Sequence, residues 1–522
     1  MMRLKKTVLI SLLLIPIIIL SSCNIKKVGE EKPYSYGIYP INTDDKITYW
    51  LSLPDVLKGT VTNYGETEFA KELSKRTGVE VEYIHPTSGN DFENLNIMIA
   101  TDNMPDIIQA DWLGINPAAM LENGVILRLN DYLEYMPNLK AYLDKHPDVY
   151  KQITTDNGDI YCFPFIREDK LLLTTSGFII RSDWMKELEL EIPETIEEWE
   201  YVLDKLKTKC DYPLAFSVGM LSFFSSGFGI SSEYYIGNDG KVTHGFLQPQ
   251  YKDFLITMNR WYEKGFLHKN SSLFDIEMLR NNIVLGYSAV DFTAGGSGMG
   301  YYLGKEDNNG NPIIMEPVPY PSTQKGLKSE FGNSVFEYSG EAGAAITSSA
   351  KNPELCAKFL DYNYSEDGAM LNNFGIEGVS YEMIEGVPVF TDLITKNPDG
   401  LIISKALPLY VRSSTSGPFV QDVRYITQYY RSPYQVKALE VWGNTNHLQH
   451  KIPQITLTPQ ETKELSVINE KISDYRFEMT NRFIMGDISI DEFDKTVEHC
   501  KTLGIDRAIE IYQNALNRYN LR

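Results

Sequence analysis

The sequence predicts an α/β protein built from more than one lobe, and three observations carry that reading. At 522 residues the chain exceeds what one hydrophobic core organises, and its 43% apolar content supplies a substantial interior. A strand–helix–strand–helix–strand succession runs from Lys46 to Ala110, the pattern of a parallel sheet with crossover helices. A second strand–helix pattern opens near Leu171 and continues past residue 280.

Taken in order, the chain starts with Arg3, Lys5 and Lys6 ahead of an apolar run, Thr7–Leu20. As a helix this run covers about 21 Å, short of a hydrocarbon core of about 30 Å. It reads as a secretory signal over 1–22 rather than a membrane span. Leu20-Ser21-Ser22-Cys23 resembles a bacterial lipobox, which implies cleavage before Cys23 and diacylglycerol on its sulfur. A plain secretory signal with an incidental cysteine is the other reading. Residues 23–45 are polar and read as a lipidated tether. No later segment is apolar for long enough to span a membrane.

"KITYWLSLP" (46–54) is a strand, "GETEFAKELSKRTG" a helix closed by Gly78, "VEVEYIHP" a strand, "FENLNIMIATDN" a helix and "MPDIIQA" a short buried strand. Ligands of such sheets bind beyond the carboxyl ends of the strands. That singles out "PDVLKGTVTNYG" after the first strand and "ADWLGINP" after the third. In the second pattern, Thr195 and Glu198 form a capping box ahead of an amphipathic helix. Trp184, Trp199 and Trp261 read as core residues of amphipathic helices. "YYIGNDGKVTHGF" is a hairpin turning at Asp239-Gly240. "IVLGYSAV" (283–290) reads as a strand ending in a flexible glycine-rich loop, "DFTAGGSGMG". From about residue 455 the chain turns helical, with capping boxes at Thr458–Glu461 and Ser489–Glu492.

Asp+Glu outnumber Lys+Arg by 70 to 49, a net charge of −21, so the basic footprint of a nucleic-acid binder is missing. Cys162, Cys210, Cys356 and Cys500 form no C-x-x-C pair. They read as scattered buried thiols, although two disulfides are open to them. No G-x-S-x-G, H-E-x-x-H, P-loop or dinucleotide fingerprint occurs. Carboxylates are plentiful, but no spacing points to a glycosidase pair.

Several segments together resemble a known family. "GVEVEYIHPTSGNDFENLNIMIATDNMPDIIQADW", "NGDIYCFPF", "FIIRSDWMKELELEIPETIEEWEYVL" and "KNPELCAKFLDYNYSEDGAMLNNFGIEG" are similar to successive segments of extracellular solute-binding proteins of ABC importers, the group of the maltose-binding protein. The ending, "RFIMGDISIDEFDKTVEHCKTLGIDRAIEIYQNALNRY", resembles that of long carbohydrate-binding lipoproteins of Gram-positive bacteria. The resemblance runs from about residue 45 to the C-terminus. It implies a two-lobe periplasmic-binding-protein-like fold of type II, with hinged lobes closing on a ligand cleft and extra C-terminal helices. The first lobe would be 46–163 plus 318–362 and the second 177–312 plus 366–522, with crossings near 164–176, 312–320 and 360–366. The helices would brace both. It implies a membrane-anchored importer subunit, not an enzyme. Such a subunit captures an oligosaccharide on the extracytoplasmic face and delivers it to two transmembrane permease subunits, as a monomer and without a cofactor. A surface polysaccharide-degrading enzyme and a sensory or adhesive lipoprotein are the alternatives. Long members often carry a calcium-like loop after the helix at "PETIEEW"; "KLKTKCDYPLAF" lacks its oxygen ligands, so no metal is expected there.

A sugar needs aromatic platforms for its C–H faces and polar groups for its hydroxyl rim. Asp111 and Trp112 follow the third strand and match a sugar-contacting loop of the family, although Trp112 could instead be a buried anchor. Asn63 and Tyr64 follow the first strand. Asp291 and Phe292 face the cleft in the family pattern, and Glu168 matches a family position at the first crossing. Tyr410, Arg412 and Trp442 lie in irregular C-terminal sequence where they either reach the cleft or cover a surface. Arg167 and Arg412 leave room for an acidic sugar such as a uronide, but arginine also pairs neutral hydroxyls.

If 160–167 is extended, Tyr161, Phe163, Phe165 and Arg167 share one face, and Cys162 falls on the other among Ile160, Pro164 and Ile166. A thiolate is disfavoured in such company. Cys162 is therefore expected to be packing, with Phe165 and Arg167 offered to the ligand.

Overall fold

The computed structural model describes residues 37–87, 91–101 and 103–522. The signal over 1–22, the lipidation of Cys23 and the tether up to residue 36 lie outside the described residues. The end of the expected tether is not free. Ile41 N–H donates to Thr77 O (2.7 Å) and the Tyr39 hydroxyl to Lys358 O (2.8 Å), which ties it to the first lobe.

In chain order the described strands are β1 (Lys46–Trp50), β2 (Glu80–Ile84), β3 (Ile107–Ala110), β4 (Phe163–Arg167), β5 (Ser176–Arg181), β6 (Tyr234–Ile236), β7 (Val242–His244), β8 (Val290–Ala294), β9 (Met315–Val318), β10 (Tyr338–Ile346), β11 (Tyr381–Ile384), β12 (Val387–Phe390) and β13 (Phe419–Gln421). The first sheet has the order β2-β1-β3-β10-β4-β13, in which β10 alone runs against its neighbours. Its inner strands β1 and β3 are apolar on both faces. Ile47, Tyr49 and Ile107 enter one core, and Trp50 and Ile108 enter another on the opposite side. This is the signature of a sheet covered by helices on both faces. The second sheet is β8-β5-β9. Its core is dominated by aromatic rings, Phe178, Trp199, Phe216, Phe224 and Trp261 among them.

Local chemistry fixes the elements that flank the site. The helix Glu68–Thr77 starts where Thr67 accepts from Ala70 N–H. It stops at Gly78, whose φ of 74° only glycine tolerates easily. One expected strand is different. Residues 283 and 284 close the helix Ile276–Val284, capped by Asp275, and the chain turns at Gly286. The strand proper is β8, so Asp291 and Phe292 sit inside it, and Ser297–Tyr302 is a short helix rather than a loose loop. A short apolar run fits a helix end as well as a strand.

The lobe boundaries also move. Between β4 of the first sheet and β5 of the second the chain passes from one sheet to the other. The return lies near 331–338 rather than 312–320. Tyr320 still packs on Phe178 in the second core, and Ser322 N–H donates to Glu194 O (2.8 Å). The two crossings run side by side, with Val335 N–H donating to Leu173 O (2.8 Å) and Arg167 N–H to Glu337 O (2.6 Å). Nothing crosses at 360–366, because Tyr362, Tyr364 and Leu371 belong to the first core and β13 pairs with β4. The chain reaches the second lobe again only with the helix Pro433–Gly443. Between these points Phe374, Tyr381, Phe390 and Tyr425 make a small core of their own.

The C-terminal helices touch both lobes. Helix Pro459–Met485 lies on helix Pro249–Glu263 of the second lobe, with Tyr251 and Thr480 hydroxyls 3.0 Å apart. In the last helix, Ile505–Leu521, Arg518 reaches Asp156 of the first lobe and Glu461, each at 2.6 Å.

Candidate functional site

A cavity of about 1150 Å³ opens at the carboxyl ends of β1, β2 and β3. Three loops and one distant segment build it. After β1, Leu51 N–H donates to Ile84 O (3.0 Å), which holds the start of the first loop beside β2. His85 laces the next turn. Its Nδ1 lies 2.8 Å from Leu51 O, so that nitrogen carries the proton, and Nε2 accepts from Tyr64 N–H (2.9 Å). Asp111 caps the short helix Trp112–Ile115 by accepting from Gly114 N–H (3.1 Å). The distant segment, 412–416, hangs on the helix Glu366–Phe374 through Arg412 N–H and Ser413 N–H to Asn372 O (2.9 and 3.0 Å).

The floor is polar and buried. Gln109 of β3 receives Arg412 Nη2 (2.7 Å) and the Tyr49 hydroxyl (2.9 Å) on the same oxygen. Arg412 is 3% exposed and lies over the rings of Tyr64 and Phe69. Gly417 closes against it, since a Cβ there would stand 2.6 Å from Arg412 Cζ. Burial pushes the Tyr49 hydroxyl up to about 12 although Arg412 is beside it, and raises Tyr64 likewise, so both remain neutral phenols. Burial works against the charge on Arg412, but the surrounding Tyr64, Tyr49 and Tyr83 oxygens hold it protonated.

The walls are apolar, with Trp50, Leu53, Pro54, Val56, Leu95 and Ile115. The rim carries Asp55, Asp91 and Asp111, all exposed. Asp55 pairs with Lys58 (2.6 Å), and Asp91 accepts from the Ser52 hydroxyl. Apolar walls under a rim of acceptors, donors and hydroxyls suit a molecule with C–H faces and an edge of hydroxyls.

Of the candidates read from sequence, Tyr64, Asp111 and Arg412 line this cavity. Asn63 does not. Its side chain caps Gly65 N–H (2.8 Å) and donates to Tyr83 O (2.9 Å), clamping the loop that presents Tyr64. Trp112 is a buried anchor, 0% exposed, with Nε1 donating to Gly343 O (2.9 Å). Trp442 is buried as well. Its Nε1 donates to Phe178 O (3.0 Å) and its ring fills the space left by Gly177. Phe165 is buried against Phe419, with the Arg167 guanidinium 4.4 Å from its ring and Nη1 donating to Phe336 O (3.1 Å). Glu168 stands beside His146 (3.9 Å), and Tyr410 packs against the small third core.

Asp291 is fully buried, accepting from the Tyr302 hydroxyl (2.8 Å), and burial pushes its carboxyl up to about 6. Phe292 lies flat on Phe223, ring centres 3.6 Å apart, inside the second core. Cys162 is buried beside Tyr338, and burial pushes its thiol up to about 12, so it offers no nucleophile. Cys162, Cys210, Cys356 and Cys500 are all free and buried. Among the described residues no group of three or more His, Cys, Asp or Glu side chains is placed to hold a metal ion.

Sequence reasoning did not find His85, Gln109, Asp91 or the hydroxyl run Ser414–Ser416. The first two follow from the rule that located Tyr64, since they sit at the ends of β2 and β3. The run of hydroxyls after Arg412, Ser414–Ser416, is the sequence signal that marks the distant segment.

A family profile described as bacterial extracellular solute-binding protein matches residues 59–370. The chain is similar to the fructooligosaccharide ABC transporter substrate-binding protein FusA of Streptococcus pneumoniae, 24% identical with 96% of each chain covered. It is also similar to lipoprotein LipO of Bacillus subtilis, 25% identical over 83% of this chain and 86% of that protein. Its fold matches the crystal structure of the alginate-binding protein AlgQ2 without calcium ion at a TM-score of 0.72, with 22% identity over 91% of this chain and 99% of that one. With more than half of its residues matched by the profile, the chain belongs to the bacterial extracellular solute-binding proteins.

Proposed function

We propose that the chain is the membrane-anchored substrate-binding subunit of an ABC importer, capturing an oligosaccharide and delivering it to two transmembrane permease subunits. The observation that carries this is the cavity of about 1150 Å³ at the strand ends. It exceeds the roughly 300–1,000 Å³ of small-molecule pockets and so accommodates several linked rings. FusA is named for fructooligosaccharides and AlgQ2 for alginate, which supports a glycan ligand. LipO is named a lipoprotein, which supports the anchor on Cys23. In this reading Tyr64 and Asp111 contact the sugar, the two lobes close over it, and the monomer works without a metal, a cofactor or turnover.

A calorimetric titration and a thermal-shift screen over oligosaccharides test the proposal, because a ligand held only by the folded state raises the melting temperature. Saturation at a hundredfold excess over Kd adds about 2.7 kcal/mol of stability. A screen in which no glycan binds would refute the oligosaccharide reading. Sugar shortened during prolonged incubation would refute the absence of turnover.

A further inference from the structure

Among the described residues two arginines are buried, Arg181 at 0% and Arg412 at 3% exposure. Their surroundings differ. Arg181 holds Asp183 through Nε (2.9 Å) and Nη2 (2.5 Å), with Asp307 at 3.4 Å as a second carboxylate. Among the described residues no carboxylate lies within ion-pair reach of Arg412. Its neighbours are Gln109, phenols and a phenyl ring, and its Nε has no hydrogen-bond partner. A buried cation without an anion is costly, and proteins pair such charges. Arg412 lines the cavity, and so does Ser414, whose buried hydroxyl is likewise without a partner. The cavity is thus the side from which an anion reaches this guanidinium, whose planar fork matches a carboxylate.

The outer part of the same cavity has the opposite sign. Asp55, Asp91 and Asp111 are exposed there, and the one lysine among the lining residues, Lys58, is already paired with Asp55. These carboxylates accept hydrogen bonds from hydroxyls and repel further anions. A polyanionic chain would satisfy Arg412 with one unit and meet repulsion with the next. A neutral chain would leave the guanidinium unpaired.

We infer that the ligand is an oligosaccharide carrying a single carboxylate, with its acidic unit on Arg412 and Ser414 and its neutral units along the acidic rim. This rests on the oligosaccharide reading of the same cavity and narrows it.

The test is calorimetry on the full-length chain in detergent. The ligands are pairs of matched length on several backbones (xylan, glucan, galactan), one member neutral and one bearing a single glucuronic acid, together with oligogalacturonates. One mono-acidic member is expected to bind about 10- to 100-fold more tightly than its neutral partner, the effect of one charge-assisted hydrogen-bond pair. Oligogalacturonates are expected to bind more weakly than that member. Arg412→Gln should abolish the preference, with circular dichroism checking the fold; the ligand pairs on the unmutated chain decide the matter even if this variant misfolds. Asp91→Asn should strengthen oligogalacturonate binding. Neutral members binding as tightly as acidic ones would overturn the inference and leave the oligosaccharide reading standing. Oligogalacturonates binding most tightly would overturn the single-carboxylate claim alone. If no glycan binds, both fall.

Discussion

Trp112 and Trp442, two aromatic residues offered by the sequence as ligand platforms, use their indole N–H alike: each donates to a main-chain carbonyl beneath it. Sequence could place Trp112 after β3 but not say which way the ring turns, because anchor and platform need the same residue type at the same loop position. Tyr64 and Arg412 were legible for opposite reasons, the first from the strand-end rule and the second only as an arginine in irregular sequence. Trp112→Phe should cost about 2–3 kcal/mol through the lost bond and the smaller ring, while changing ligand affinity little; urea denaturation and calorimetry check the two halves. Cys162→Ser should leave affinity nearly unchanged in the same titration. Asp291 makes a pH prediction. Its carboxyl is raised by burial from 3.8 to about 6, against the Tyr302 hydroxyl and the Arg280 charge, which favour ionisation. The folded state therefore keeps a proton that the unfolded chain releases. The associated stability is complete below about pH 4 and is lost as pH rises through about 6. Two units correspond to at most about 3 kcal/mol. Asp291→Asn should lose correspondingly less stability than the parent between about pH 4 and pH 7, measured by urea denaturation at each.

At the scale of elements, caps were the most readable features. Thr195 and Thr458 each open the helix expected of them, and Thr458 with Glu461 forms the full reciprocal box, whereas Ser489 accepts from Asp491 N–H at a short 3-10 turn instead of boxing with Glu492. At Thr195 the partner differs by one residue, the Glu198 carboxylate taking Glu194 N–H (2.8 Å) instead of the cap's own. Apolar runs were less readable, as 283–290 shows, since length and flanking residues did not separate helix end from strand. The glycine that ends helix Glu68–Thr77 gives a test of crowding against backbone conformation. Gly78 and Gly124 both have positive φ, 74° and 66°. A Cβ on Gly78 would stand 2.4 Å from Ile41 O, whereas one on Gly124 meets open space. Gly124→Ala should cost about 1 kcal/mol and Gly78→Ala clearly more, about 2–3 kcal/mol, in paired thermal denaturations.

For the whole molecule, two lobes could be expected from length and pattern, but their boundaries could not. The first sheet borrows β10 from residue 338 and β13 from residue 419, and pairing across such separations leaves no trace in local sequence. The C-terminal helices pack into the second core through Ile472, Phe483 and Cys500 but reach the first lobe largely through polar links, which makes that side of the brace the easier one to weaken. Arg518→Ala removes the links to Asp156 and Glu461 and should lower the stability of the half-buried cluster by about 1 kcal/mol, seen as faster amide exchange in helix Ile505–Leu521. The strand order also sets a timetable for acquiring structure. Strands β5, β8 and β9 lie within residues 176–318, so the second sheet can close once that stretch is available. The first sheet must keep β1, β2 and β3 waiting until β10 and β13 arrive, with the loop-closure cost that long separations carry. The strand ends that build the cavity are therefore all available only once the chain has passed residue 421, and the second core waits longer still, for Trp442 and for Phe483 and Cys500 of the C-terminal helices.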